Sequence, residues 1–199
     1  MGVHQLQRGD RLVLATHNKG KLPEFQRLLQ PLGLLLSCAA DYGLPEPEET
    51  GVTFRDNAII KARAVMAGCG IVALADDSGL AVEALDGDPG VYSARWAGAN
   101  KDFTTAMQKI QTLLTGKSNR RAKFVTVLAL CWPDGILQTY HGEVTGELVW
   151  PPRGTNGFGY DAMFVPDGYN QTFAEISSKA KNLHSHRAKA CADLCREHQ

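Results

Sequence analysis

The chain has no excess of either charge: 21 lysines and arginines balance 21 aspartates and glutamates over 199 residues. No global field is available to gather nucleic acid, so any binding of phosphate must come from a local cluster. Nor is there a basic stripe interleaved with aromatics, which leaves little support for an RNA-binding module. Cys-x-x-Cys pairs are absent. Cys38, Cys69, Cys131, Cys191 and Cys195 are scattered, against a zinc ribbon or a disulfide framework and in favour of a cytoplasmic protein. Cys191 and Cys195, one helical turn apart, read as small buried residues on a terminal helix. No apolar run approaches bilayer-spanning length, and the polar stretch Met1 to Asp10 lacks the apolar core of a secretory signal. No association with a membrane is expected. Repeats, low-complexity tracts and dividing linkers are also missing. The expectation is therefore one domain over residues 1–199, compact and at most bilobed, with residues 1–10 as a polar N-terminal extension.

What is present is an alternation of strands and helices followed by a run of strands. Arg11 to Ala15 reads as a first strand, and a helix with Pro23 in its first turn follows, stopped by Pro31 and Gly33. Leu34 to Cys38 reads as a second strand. A helix is expected from Thr53 to Ala67, with Phe54, Ala58, Ala62 and Val65 recurring at helical spacing and Asn57 and Lys61 forming a polar pair one turn apart. Ile71 to Leu74 is a short buried strand, and Leu85 to Gly98 a long irregular passage of the kind that often carries function. Phe103 to Leu114 reads as a helix. Phe124 to Trp132, Ile136 to Tyr140 and Val144 to Trp150 read as strands of an antiparallel meander, Ala162 to Val165 as a short strand, and a final helix begins near Ser185. The sum is an α/β protein with a mixed sheet flanked by helices.

Four places carry chemistry. Ala75-Asp76-Asp77-Ser78-Gly79 closes the Ile71 to Leu74 strand, so its carboxylates must sit at an exposed end or be paired. Neighbouring strand residues face opposite ways, which gives Asp76 and Asp77 different jobs, one facing a cation and the other taking hydrogen bonds from backbone or a helix end. By itself the segment reads equally well as an acidic turn. Thr16-His17-Asn18-Lys19-Gly20-Lys21 leaves a strand for a helix, where backbone N–H groups can meet an anion. It lacks the P-loop spacing, which disfavours a Walker-type ATPase, and a solvated basic loop is an equal reading. Glu46, Glu48 and Glu49 form an acidic group able to give a second carboxylate to a metal near Asp77, or simply a solvated loop. Hard oxygen donors and few histidines favour Mg²⁺ over zinc. Phe158 between Gly157 and Gly159 can offer a ring face to a base. Ser185-His186-Arg187 at a helix start can aim donors at a purine O6, or Ser185 is a plain helix cap.

Taken together, Thr16 to Lys21, Glu48-Glu49-Thr50-Gly51 with Phe54 and Asn57-Ala58, Ala75 to Leu80 with Pro89 to Arg95, and Gly157-Phe158-Gly159-Tyr160-Asp161 with Lys181 and Ser185-His186-Arg187 resemble the inosine/xanthosine triphosphate pyrophosphatase family. These are house-cleaning enzymes that hydrolyse non-standard purine nucleoside triphosphates. The resemblance covers Leu12 to Ala192 and carries four separated motifs in order. It implies an elongated mixed α/β fold with the active site in a groove between two lobes, and a homodimer. It implies that Thr16, His17, Asn18, Lys19, Gly20 and Lys21 hold the triphosphate, with Lys181 a further contact. Asp77 would be proton acceptor and Mg²⁺ ligand, with Glu48 as second carboxylate. Ser78, Phe158, Gly159, Tyr160 and Asp161 would line the nucleotide site, and His186 and Arg187 would read the base. The reaction implied is attack of water on the α-phosphorus with release of pyrophosphate. Two places depart from the usual pattern: Arg55-Asp56 before Asn57, where a glutamate is common, and Ala180 before Lys181, where an acidic residue is common. Two other readings compete: a pyrophosphatase for modified pyrimidine triphosphates, like the septum-inhibitor-like proteins, and a non-catalytic nucleotide-binding protein.

Overall fold

The computed structural model describes residues 4–17 and 21–199, the side chains of Ser178 and Asn182 excepted. The sheet has six strands in the order β2-β1-β3-β4-β5-β6. Strand β1 (Arg11–Leu14) lies parallel to β2 (Leu35–Cys38) and β3 (Ala73–Val82), with Leu14 opposite both Cys38 and Leu74. Parallel neighbours need long crossovers. Helices α1 (Lys21–Leu28) and α2 (Phe54–Cys69) supply them, and β4 (Arg121–Cys131), β5 (Leu137–Leu148) and the antiparallel β6 (Phe164–Pro166) complete a mixed sheet. Beside these lie α3 (Ser93–Trp96), α4 (Phe103–Leu113), α5 (Ser178–His184) and α6 (His186–Glu197). The α/β class with a mixed sheet flanked by helices is as expected from the sequence.

The chain packs as two compact units. The first gathers the described residues up to Asp77 with Thr126–Gly142 and Arg187–Gln199; the second holds Ser78–Val125 and Glu143–His186. In the first unit, strand alternation sorts the core. Leu12, Leu14 and Leu74 pack with Phe25 and Leu29 on one side and with Cys191 and Leu194 of α6. Val13 and Ala73 pack with Val65 of α2, while Ala75 packs with Ala58 and Ala62. Continuing that alternation, Asp76 falls on the Leu74 face and Asp77 on the Ala75 face. The second unit is built on Leu80, Val82, Met107, Ile110 and the aromatic cluster of Phe124, Phe164 and Phe173. Phe124 and Phe164 meet edge to face at 4.8 Å.

Local chemistry accounts for the element ends. Thr53 caps α2 by accepting from Asp56 N–H, and Thr53 Oγ1 donates to Asp56 Oδ2 at 2.6 Å. Asp56, a departure from the family pattern, is thus part of the helix cap. Three features differ from the sequence expectation. β3 does not stop at Leu74 but runs on through both aspartates, because each finds cationic partners. The strands expected at Ile136 to Tyr140 and Val144 to Trp150 are one strand, since the buried alternation Tyr140, Gly142, Val144, Gly146, Leu148 passes through the glycines. Helix α5 was not expected; Ser177 starts it by accepting from Ala180 N–H.

Within the N-terminal extension, Leu6 is tied to the end of the chain. Leu6 N–H donates to His198 Nδ1 at 3.2 Å, which leaves the ring proton on Nε2, 3.0 Å from the Tyr140 hydroxyl. Burial pushes His198 below its ordinary pKa, against the opposing charge of Glu197. A histidine held neutral in the fold adds stability above its unfolded pKa of about 6.5 and loses it as pH falls further. Thermal melts between pH 7.5 and 5.5 should show the stability advantage of wild type over His198→Gln shrinking toward acid. His198→Gln should start about 1 kcal/mol less stable and show a shallower slope; parallel slopes would contradict the neutral assignment.

Candidate active site

Asp76 and Asp77 are adjacent, both buried, and oppositely served. Asp76 accepts from Lys21 Nζ at 3.0 Å to each of its oxygens and from Arg187 Nη2 at 3.0 Å. Lys21 opens α1, and one turn later the buried Glu24 takes the other end of the guanidinium, its oxygens 3.0 and 3.1 Å from Arg187 Nη1. Burial alone would raise the Asp76 pKa, but the charges of Lys21, Arg187 and Lys61 overcome it and hold the carboxyl far below the usual range. Arg187 is raised in turn: Asp76 and Glu24 outweigh its desolvation. The order of charges, lysine, aspartate, arginine, glutamate, leaves each carboxylate next to a cation.

Asp77 faces α2. Its Oδ1 accepts from Lys61 Nζ at 2.9 Å, and Asn57 Nδ2 stands 3.4 Å from Oδ2. Lys61 also donates to Glu49 Oε1 at 2.6 Å. Here burial wins: it pushes Asp77 up to about 6, with Glu49 and Asp76 adding to the rise and Lys61 opposing it. For Lys61, desolvation opposes the charged form, but Asp77, Asp76 and Glu49 raise its pKa above the ordinary value. A carboxylate titrating near neutrality is suited to accept a proton at physiological pH. Two residues beyond Glu49 the backbone is fastened to α2, where Asn57 Oδ1 accepts Gly51 N–H at 2.8 Å. A side chain at position 51 would come within 2.7 Å of that oxygen, so glycine is required.

In the second unit the Gly157 to Asp161 turn presents Phe158, which is 54% exposed. Asp161, buried, accepts from Phe158 N–H at 2.8 Å and from Lys181 Nζ. A Cβ on Gly157, whose φ is +76°, would collide with Asp161 Oδ2. Lys181 Nζ lies 4.7 Å from the Phe158 ring centre, a cation and an aromatic face presented together. Tyr160 is buried, its hydroxyl donating to Ser93 C=O at 2.8 Å and its ring edge-on to Phe103, so it braces the turn from within. His186 stacks on Phe124 at 5.0 Å.

The structure therefore brings Lys21, Asp76 and Arg187 into one ion cluster, and sets the Asp161–Lys181 ion pair beside the Phe158 ring. Thr16 is buried at the end of β1, and His17 donates from Nε2 to Leu44 C=O at 2.7 Å. Asn18, Lys19 and Gly20 lie outside the described residues. Ser78 continues β3 and is half-buried. Arg187 is directed at Glu24 and Asp76 rather than outward. Glu48 is exposed, and the glutamate bonded to the lysine of Asp77 is Glu49. Glu24, Asn57 and Lys61 join the site although they were not among its expected members. Signals for them existed: Asn57 and Lys61 share a helix face, and Glu24 stands one turn after Lys21 on an otherwise apolar face.

These features define an α/β protein with two adjacent carboxylates on a buried strand, each bonded to cationic side chains. The chain belongs to the Ham1 family, whose model matches residues 12–197. A dITP/XTP pyrophosphatase from Zymomonas mobilis is 57% identical over 187 residues, covering 92% of this chain and 90% of the relative. A Brucella melitensis protein of the same name is 50% identical over 204 residues, covering 94% and 92%. A solved HAM1 protein from Coxiella burnetii superposes with a TM-score of 0.88 at 41% identity, covering 94% of this chain and 97% of that one. The resemblance drawn from the four motifs is borne out.

The two aspartates should respond differently to neutralisation. Asp76→Asn leaves Lys21 and Arg187 short of a buried partner and should cost ~3–5 kcal/mol in urea unfolding. Asp77→Asn should cost less than ~1 kcal/mol, because a carboxyl raised toward neutrality contributes little ionic stabilisation and Lys61 keeps Glu49. Equal losses would contradict this division.

Proposed function

We propose that the protein hydrolyses non-standard purine nucleoside triphosphates, ITP, dITP and XTP, to the monophosphate and pyrophosphate. The removal of such nucleotides before their incorporation into DNA or RNA would be its role. The observation that carries the reading is Asp77, buried, raised to about 6 and bonded to Lys61, beside an aspartate locked in its ionised form. The pyrophosphatases at 57% and 50% identity support the substrate class.

Asp77 takes the proton of a water whose oxygen attacks the α-phosphorus; the bridging α–β P–O bond breaks and pyrophosphate leaves. Lys21, held at the start of α1 by Asp76, places positive charge where phosphates approach. Mg²⁺ is proposed as cofactor: the carboxylates of Asp77 and Glu49 are hard oxygen donors on either side of a cationic nitrogen, a donor set that suits it. Glu48, the expected second carboxylate, follows Glu49 in this role. When bound, the ion neutralises charge on the phosphates and the leaving group. Phe158 offers a stacking face, Lys181 a donor beside it, and His186 a donor for a 6-oxo group; Arg187 acts through Asp76. Thr16, His17, Asn18, Lys19 and Gly20 complete the proposed phosphate loop, with Ser78 and Gly159 lining the nucleotide. A homodimer in the cytoplasm is also proposed, the latter supported by five free thiols. No helix among the described residues is long and apolar enough to cross a membrane.

Pyrophosphate release from inosine, xanthosine and adenosine triphosphates tests the reading. ITP and XTP should be favoured over ATP by ~10⁴-fold in kcat/KM, because adenine presents a donor where the site expects an acceptor. Chelation of Mg²⁺ should stop turnover, and Asp77→Asn should lower kcat by ~10²- to 10⁴-fold. Full activity of Asp77→Asn, or equal use of ATP, would refute it.

A further inference from the structure

Lys61 occupies an unusual place for a lysine. Its side chain is only 9% exposed, and its ammonium bonds to the two carboxylates proposed above to hold the metal, 2.6 Å from Glu49 and 2.9 Å from Asp77. Neither carboxylate is loosely held: Glu49 precedes the Gly51 turn fastened by Asn57, and Asp77 is fixed in β3. A divalent cation bound by the same oxygens would meet a unit positive charge within a few ångströms. At such distances, inside protein, like charges repel strongly. The ammonium and the ion therefore compete for one place.

We propose that Lys61 is an internal counter-cation that keeps Glu49 and Asp77 paired in the resting protein and resists free metal until nucleotide arrives. The inference rests on the Mg²⁺ reading above and adds an order of events to it. Without nucleotide, the lysine neutralises the carboxylate pair and metal binds weakly. The triphosphate brings negative charge with its own metal, and the ammonium turns from the carboxylates toward the phosphates. Lysine suits this exchange because its charge is compact and sits on a flexible four-carbon stem, whereas arginine presents a planar fork. Lys61 is a positioning residue here, acting through Asp77 and Glu49. The metal is expected to enter with the nucleotide rather than before it.

The distinguishing readout is the affinity for free Mn²⁺, measured by electron paramagnetic resonance on nucleotide-free protein. A purely structural role for Lys61 predicts that its removal weakens metal binding; competition predicts a gain. Lys61→Met should bind Mn²⁺ at least ~10-fold tighter than wild type, and Lys61→Arg, which keeps the charge, should remain weak. Lys61→Gln provides the same comparison with a hydrogen-bond donor retained, should the methionine variant fold poorly. Adding the non-cleavable α,β-methylene analogue of ITP should tighten Mn²⁺ binding to wild type and narrow the gap to the neutral variants. Equal or weaker Mn²⁺ binding by both neutral variants, with wild type still binding in the presence of the analogue, overturns the counter-cation role and leaves the metal reading standing. Absence of Mn²⁺ binding by every form, with or without the analogue, overturns both.

Discussion

The row of charges Lys21, Asp76, Arg187, Glu24, buried beyond the half-buried Lys21, is the constraint on which the rest of the first unit depends. It joins the start of α1, the middle of β3 and the first turn of α6, three elements far apart in sequence. A buried carboxylate without a partner would not be tolerated within a strand, and an arginine that is 2% exposed needs its charge matched. Alternation of sign along the row satisfies both demands. It lets β3 continue through two aspartates instead of ending before them.

From that continuation follows the difference between the twin carboxylates. Strand geometry turns Asp76 and Asp77 to opposite faces, and the partners on each face decide the outcome. Asp76 meets two full cations and stays ionised. Asp77 shares one lysine with Glu49, and its burial is left incompletely offset, so its pKa rises. The same chemistry recurs in the second unit with a different result. There Asp161 ties the backbone of an exposed aromatic turn to Lys181, and the carboxylate serves to hold a platform rather than to exchange a proton.

Much of this was legible in the sequence, and the limits were physical. The β1 and α2 segments were readable because their apolar residues recur with clear period, and the opposite roles of Asp76 and Asp77 followed from strand alternation alone. The end of β3 was not, since a strand that carries charge inward depends on cations from remote segments, and Glu24 and Arg187 are separated by 163 positions. Arg187 illustrates the same point: adjacent to His186, it was paired with it as a base reader, yet it turns to Asp76. That Glu49 rather than Glu48 bonds Lys61 depends on the path of the loop before α2, which local composition does not reveal. For α5, the helix cap at Ser177 lies in a polar stretch with little apolar period.

The adjacent carboxylates differ in proton affinity, one ready to take a proton near neutral pH and the other unable to. Site-resolved carbon-13 NMR of the aspartate carboxyl groups, followed from pH 8 to pH 4 in metal-free protein, reads each directly. The Asp77 resonance should titrate with a midpoint near 6 while that of Asp76 does not move. A single shared transition, or an Asp77 midpoint at the ordinary value near 4, would contradict this difference.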